Sequence, residues 1–277
     1  MLLRIITGIV GIVAAAYVIM QGDRVFAGAT LLLALVGWFE FARAFARRGT
    51  TVAFFSGVIA LPLMIGCAWL GNAEEMLGVS MAFALLTLTF TVLPIGQTLN
   101  FTEGAVGIAG VFYIGWPLSH LVMLRNLEGA DFTSFFDPAV SVSYGAGLVW
   151  LMFIATWASD TFAYFVGSAI GSHKLAPSIS PNKTVEGFLG SVVGTGAVLA
   201  GLAYAFDLPP EKTVYLGVCL AIIATLGDLV ESAFKRHIGI KDSGSLIPGH
   251  GGVLDRFDSV LYTAPVVYYY ALIFGLN

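Results

Sequence analysis

Asp255 and Asp258 stand three residues apart immediately after a glycine-rich stretch, and carboxylates so placed at the start of a helix can share a hard cation. The stretch that leads into them, residues 235–257, holds five glycines, four basic residues (Lys235, Arg236, Lys241 and Arg256), Asp242, His237, His250 and Pro248. Gly249, Gly251 and Gly252 let backbone N–H groups approach an anion, and the four cations supply the charge that phosphates need. His250, between glycines, is a candidate phosphate contact. Oxygen ligands beside a basic loop suggest Mg²⁺ bridging to phosphate. A second group interrupts an apolar run: Asp228 and Glu231 are spaced to lie on one helix face, with Lys235 continuing it. Carboxylates inside a bilayer cost about 2.5–3.5 kcal/mol each, so they usually face an aqueous cavity and serve a function. A Glu231–Lys235 ion pair that only locks packing is the alternative. Ser159 and Asp160 break another apolar run. A third group is the segment Ser178 to Gly187, where Pro181 and Gly187 are expected to shape a turn and Ser180, Lys183 and Thr184 offer donors to a phosphate. Its plainer reading is a helix entry capped by Thr184, with Lys183 at the membrane interface.

The elements that must position these residues are membrane spans. Of 277 residues, 58% are hydrophobic and 11% charged, against about 45–50% and about 25% in soluble domains. Thirteen Lys+Arg and 17 Asp+Glu cannot clothe a soluble surface of this size, so the natural solvent is a bilayer. Taking about 20 apolar residues per span, nine candidates run approximately over 2–20, 25–46, 52–70, 76–93, 105–124, 145–170, 186–206, 212–234 and 258–276. The first begins with Arg4 and contains Ala14, Ala15 and Ala16, which could mimic a signal-peptide cleavage site. A retained helix is expected, because the chain runs straight into another span. The fold class is therefore an all-α polytopic integral membrane protein with about nine transmembrane helices. Residues 1–144 read as scaffold helices and 145–277 as the catalytic region.

Ten basic residues (Arg4, Arg43, Arg47, Arg48, Lys174, Lys183, Lys235, Arg236, Lys241 and Arg256) fall on one side of these spans and three (Arg24, Arg125 and Lys212) on the other. The richer side is expected in the cytoplasm, with the N-terminus inside, the C-terminus outside and a polar cavity opening inward. A net charge of −4 excludes a globally basic nucleic-acid binder. Cys67 and Cys219 lie inside apolar runs without a thiolate-metal spacing. Gly167/Gly171 and Gly190/Gly194 have the spacing that lets helix backbones approach, and His120 reads as a satisfied interhelical residue. The lack of an internal repeat gives no support to an inverted-repeat transporter.

The run from Ser232 through Lys235-Arg236, Lys241-Asp242, Gly244 and Ile247-Pro248-Gly249-His250-Gly251-Gly252 to Asp255-Arg256-Phe257-Asp258 resembles the signature of the phosphatidate cytidylyltransferases. Ser159-Asp160-Thr161 and Ser180 to Gly187 are similar to other recurring blocks of that family, so the resemblance is strong over about residues 158–260, with the signature itself at 232–258. The resemblance implies a nucleotidyltransferase that condenses CTP with phosphatidic acid, giving CDP-diacylglycerol and pyrophosphate for phospholipid synthesis. It implies that Asp228, Asp255 and Asp258 hold Mg²⁺, with a second cation allowed, and that Lys235 and Arg256 join them in catalysis. Ser180, Lys183, Thr184, Arg236, Lys241, His250, Gly251 and Gly252 would bind phosphates of CTP or phosphatidate. Asp160, Glu186, Glu231 and Asp242 are additional candidates. It further implies a bacterial inner membrane with the site facing the cytoplasm, and is compatible with a homodimer. Two other readings stand beside it: a CTP-dependent membrane lipid-alcohol kinase, which would pass on the γ-phosphoryl group, and an ion-coupled transporter using Asp160, Asp228 and Glu231 as a relay.

Overall fold

A computed structural model describes residues 2–93, 99–244, 246 and 251–276, with side chains from residue 6 onward. The helices are α1 (Leu2–Gln21), α2 (Asp23–Ala46), α3 (Phe54–Trp69), α4 (Ala73–Phe90), α5 (Phe101–Arg125), α6 (Tyr144–Ile170), α7 (Val185–Ala205), α8 (Pro210–Ile238) and α9 (Leu254–Phe274). Each of the nine expected spans falls on one of them. Seven are long and apolar enough to cross a membrane; Ile6–Gln21 and Phe54–Trp69 are shorter apolar helices. The chain is an all-α polytopic membrane protein. Large hydrophobic side chains such as Phe55, Val193 and Ile273 are exposed along these helices, as they should be where lipid replaces water.

The chain divides into two compact units. The first comprises residues 1–126 and 237–257, so the described residues of the glycine-rich segment from His237 onward group with α1–α5. In this unit α5 packs on α2, α3 and α4, around Trp38, Leu61, Met64, Ile114 and Leu124. Trp38 fills the space left by the missing side chain of Gly57, and its indole N–H donates to Phe54 O (2.9 Å). Asn100 and Glu103 form a reciprocal cap at the start of α5, and Arg125 at its end donates to Ile19 O of α1 (2.7 Å). His120 is buried, as expected of a satisfied residue, with Nδ1 lying 2.8 Å from Trp116 O of its own helix.

The second unit comprises residues 127–236 and 258–277. α6 and α7 pack closely because Gly190 and Gly194 lie against Val166 and Phe162, where a Cβ would collide with those side chains. That is the packing role expected of the pair. Gly227 plays the same part between α8 and α9: a Cβ there would lie 2.8 Å from Asp258 O. Ser259 Oγ ties the same crossing by donating to Ala224 O (3.1 Å).

Two antiparallel hairpins, which the sequence reading did not anticipate, flank α6. Phe132–Thr133 (β1) pairs with Ser141–Val142 (β2), and Lys174–Ala176 (β3) with Ser180–Thr184 (β4). The turn expected at Pro181 and Gly187 lies earlier, where Ile179 N–H donates to Ala176 O (3.1 Å). Pro181 is inside β4 and Gly187 in the first turn of α7. Thr184 caps α7 as the plainer reading expected, its Oγ1 accepting from Gly187 N–H (3.1 Å).

Candidate active site

In the second unit the polar residues of four elements converge. α6 contributes Ser159 and Asp160, β4 contributes Lys183, α8 contributes Asp228, Glu231, Lys235 and Arg236, and α9 contributes Asp258. The absence of a side chain at Gly227, one residue before Asp228, lets α8 meet the first turns of α9 and puts Asp228 near Asp258. Asp258 lies within electrostatic reach of Asp228, Asp160 and Lys235. Its Oδ1 accepts from Ser259 N–H (2.7 Å).

Lys183 Nζ is 2.6 Å from Asp228 Oδ2, with both side chains about a quarter to a third exposed, and Ser232 Oγ approaches Asp228 Oδ1 (3.3 Å). Lys235 pairs with buried Glu231 one helical turn away, the ion pair that sequence reasoning had weighed as the packing alternative. A cavity of about 520 Å³ opens beside these groups, lined in part by Asp160, Asn182, Lys183, Thr184, Thr225 and Asp228. Ser180 is half-buried in β4, and Arg236 Nε donates to Ile179 O (3.3 Å), fastening the end of α8 to the hairpin. Glu186 receives the N–H groups of Ser172 and His173, the Ser172 hydroxyl (3.0 Å) and His173 Nδ1 (2.5 Å), so its carboxylate holds the link between α6 and β3.

The first unit holds the glycine-rich part of the signature. Asp255 is buried, and its Oδ2 accepts from Ser243 N–H (2.9 Å), Ser243 Oγ (2.9 Å) and Gly252 N–H (2.8 Å). The structure thus engages this carboxylate with its own loop. Gly251 takes φ +89°, a conformation that side-chain-bearing residues rarely adopt, and a Cβ there would press on Asp255. Lys241, Asp242 and Arg256 are exposed; His250 lies outside the described residues.

Sequence reasoning missed Glu40. This α2 carboxylate is buried and accepts from Val253 N–H (3.0 Å), Leu254 N–H (3.0 Å) and Ser243 Oγ (3.3 Å). It caps α9 from another helix, satisfying amides that a helix start leaves without intrahelical partners. Gly244 and Gly252 lie directly against it, with no room for a Cβ at either. An acidic residue within the apolar run from 25 to 46 was the signal that could have found it.

Among the described residues no three His, Cys, Asp or Glu side chains are grouped as a metal cage. Mg²⁺ commonly takes one or two carboxylates together with substrate phosphates and keeps several waters. Asp228 and Asp258, with Asp160 near, fit such a site, and Lys183 already places a cation on Asp228.

Comparison with known proteins agrees with this chemistry. The chain is 33% identical over 287 residues to a protein of Bacillus subtilis (strain 168) named phosphatidate cytidylyltransferase, with 98% of each chain covered. Proteins of the same name from Staphylococcus aureus (strain COL) and Staphylococcus saprophyticus are 31% and 32% identical, over 96% of this chain and 97% of theirs. The cytidylyltransferase family profile matches residues 2–274, from α1 to the last residue of α9. A match of that extent, with the motif carboxylates and lysine converging in space, makes the chain a member of the cytidylyltransferase family.

Proposed function

We propose that the chain transfers the cytidylyl group of CTP to phosphatidic acid, forming CDP-diacylglycerol and pyrophosphate. The observation that carries this reading is the convergence of Lys183, Asp228, Asp258, Asp160 and Lys235, of which Asp160, Lys183 and Asp228 line one cavity, in a chain of spanning helices. Near-complete similarity to proteins named for this reaction supports it.

A phosphate monoester has its second pKa at about 6, so the attacking oxygen of phosphatidate is already ionised near neutral pH and needs no strong base. The obstacle is repulsion between two anions. The lipid phosphate oxygen forms a bond to the α-phosphorus of CTP, the bond from that phosphorus to the bridging oxygen breaks, and pyrophosphate leaves with the electron pair. This chain's contribution is positioning and charge neutralisation. Lys183 can move from Asp228 to a phosphate oxygen as the triphosphate enters, and Arg236, exposed beside the hairpin, adds a second cation. Mg²⁺ held by Asp228 and Asp258 would supply further positive charge to the triphosphate when bound. In this reading Lys241, Gly251, Gly252 and Arg256 present the glycine-rich segment to phosphates, and Asp255 keeps that segment in shape. The basic side of the spans faces the cytoplasm of a bacterial inner membrane, where soluble CTP meets a lipid substrate.

The test is incubation of the detergent-purified protein with phosphatidic acid, Mg²⁺ and CTP labelled in turn at the α- and γ-phosphates. Label from the α position in the lipid, with γ label in pyrophosphate, is the expected result. Label from the γ position in the lipid would establish a kinase instead, and no lipid label from folded protein would overturn both.

A further inference from the structure

We infer that a cavity within the first unit binds the phosphomonoester head of an anionic lipid, with Arg43 of α2 and Arg47, the C-cap of that helix, as its principal cations. The cavity, about 650 Å³, is lined by Val36, Phe39 and Arg43 of α2, by its C-cap Arg47, and by Lys241 and Leu246 of the glycine-rich segment, among others. The inference deepens the transferase reading and rests on it for the identity of the lipid.

Three features carry it. Arg43 and Arg47 are one turn apart on one helix face, both exposed, and neither they nor Lys241 enters an ion pair among the described residues. Like charges so spaced repel, and they are relieved by an anion between them. Two guanidinium groups offer the paired donors that match a phosphate dianion.

The cavity wall is also preorganised. Glu40, at its floor, has its oxygens committed to Val253 N–H, Leu254 N–H and Ser243 Oγ, while Ser243 is fixed by Asp255. Gly244 and Gly252 close on Glu40 without space for a side chain. The segment carrying Lys241 is therefore anchored immediately beside the arginines, and the nearby carboxylate is already occupied by donors. Asp242, also exposed in the lining, is the remaining negative charge.

Polarity runs along the cavity in the order of a lipid. Positions 36, 39 and 43 of α2 and its C-cap 47, which keeps helical backbone angles, recur along one face and climb about 16 Å at about 1.5 Å per residue. The cations stand at the end of the span, with Val36 and Phe39 deeper; Phe39 is 51% and Leu246 61% exposed. A nucleotide triphosphate has no use for that apolar depth, whereas a diacylglycerol phosphate presents its head and chains in this sequence.

The experiment compares the parent protein with Arg43→Gln/Arg47→Gln and Arg43→Lys/Arg47→Lys. Binding of short-chain phosphatidate, short-chain phosphatidylglycerol, CTP and inorganic phosphate is measured on detergent-purified protein, together with KM values for CTP and for phosphatidate in mixed micelles. Loss of two charge-assisted contacts should weaken phosphatidate binding and raise its KM by about tenfold or more, leave CTP binding and its KM unchanged, and be partly rescued by the lysine pair. Phosphatidylglycerol, a diester with one charge, should bind more weakly than phosphatidate to the parent. An unchanged phosphatidate affinity in the glutamine variant overturns the inference. So does a selective loss of CTP affinity, which would make this a nucleotide subsite, or inorganic phosphate matching phosphatidate on the parent, which would make it a free-phosphate site. A parent protein that binds phosphatidate through these arginines but makes no cytidylylated lipid would refute the transferase reading and leave the site standing.

Discussion

Removing the charge of Asp258 separates what its carboxylate does for turnover from what it does to the fold. Asp228 and Asp160 both bear on it with like charge, opposed by Lys235. Crowded carboxylates in a low-dielectric setting repel, and the repulsion is tolerated where a cation and a polyphosphate are to be received. Asp258→Asn retains the shape and an oxygen to accept from Ser259 N–H, but relieves the repulsion. Turnover should fall about 10²–10³-fold, while the thermal midpoint of the metal-free protein in detergent stays level or rises. Paired activity and melting measurements check this, and near-normal turnover would contradict the assigned role. The types of these residues were legible in sequence because Asp160 and Asp228 interrupt apolar runs and Asp258 follows the glycine-rich stretch. Their partners were not: Lys183 reaches Asp228 only because a hairpin brings it to α8, a tertiary fact that no local pattern encodes. Glu40 is hidden for a related reason, since its partners Ser243, Val253 and Leu254 lie more than 200 residues away in the chain.

At the scale of elements, hydropathy located every helix because spanning lengths are set by the bilayer and the interruptions are strongly polar. The hairpins escaped because strands of two to five residues, here Phe-Thr, Ser-Val, Lys-Leu-Ala and Ser-Pro-Asn-Lys-Thr, are too short to carry an apolar run or a readable alternation. In the glycine-rich segment the sequence suggests an anion-binding role for Gly249, Gly251 and Gly252. Gly244 and Gly252 are needed also for space, because the Glu40 carboxylate fills the position of their missing side chains. Gly244→Ala should therefore destabilise the protein although its backbone is not in the left-handed region. Glu40→Ala should do so by another route, leaving the buried amides of Val253 and Leu254 without their acceptor, at about 1–3 kcal/mol each. Both variants should melt several degrees lower than the parent and be cleaved sooner between Lys241 and Gly252 by limited proteolysis. A Gly244→Ala protein that melts with the parent would show that Glu40 can yield at little cost.

For the whole molecule the open quantity is its orientation in the bilayer, and α6 offers the sharpest test. This helix has 27 residues, about 40 Å at about 1.5 Å per residue, against a hydrocarbon core of about 30 Å, so the hairpins at its two ends must emerge on opposite faces. The β1–β2 hairpin belongs with Glu128, Asp131 and Asp137, and the β3–β4 hairpin with Lys174 and Lys183. Since basic residues are retained in the cytoplasm, the second hairpin should face inward and the first outward. Asp137→Cys and Ser178→Cys place a thiol at an exposed position in each hairpin, in a background where Cys67 and Cys219 are replaced by serine. A membrane-impermeant maleimide should label the Asp137→Cys protein on intact spheroplasts and the Ser178→Cys protein only after lysis. The reverse pattern would put the Lys183–Asp228 cavity on the side without CTP and would break the link between this topology and the proposed reaction. Labelling of both from outside would mean that α6 does not cross, and every later helix would then need a different hand in the membrane. The labelling reads topology alone, so it bears on the reaction independently of any loss of activity in the cysteine variants.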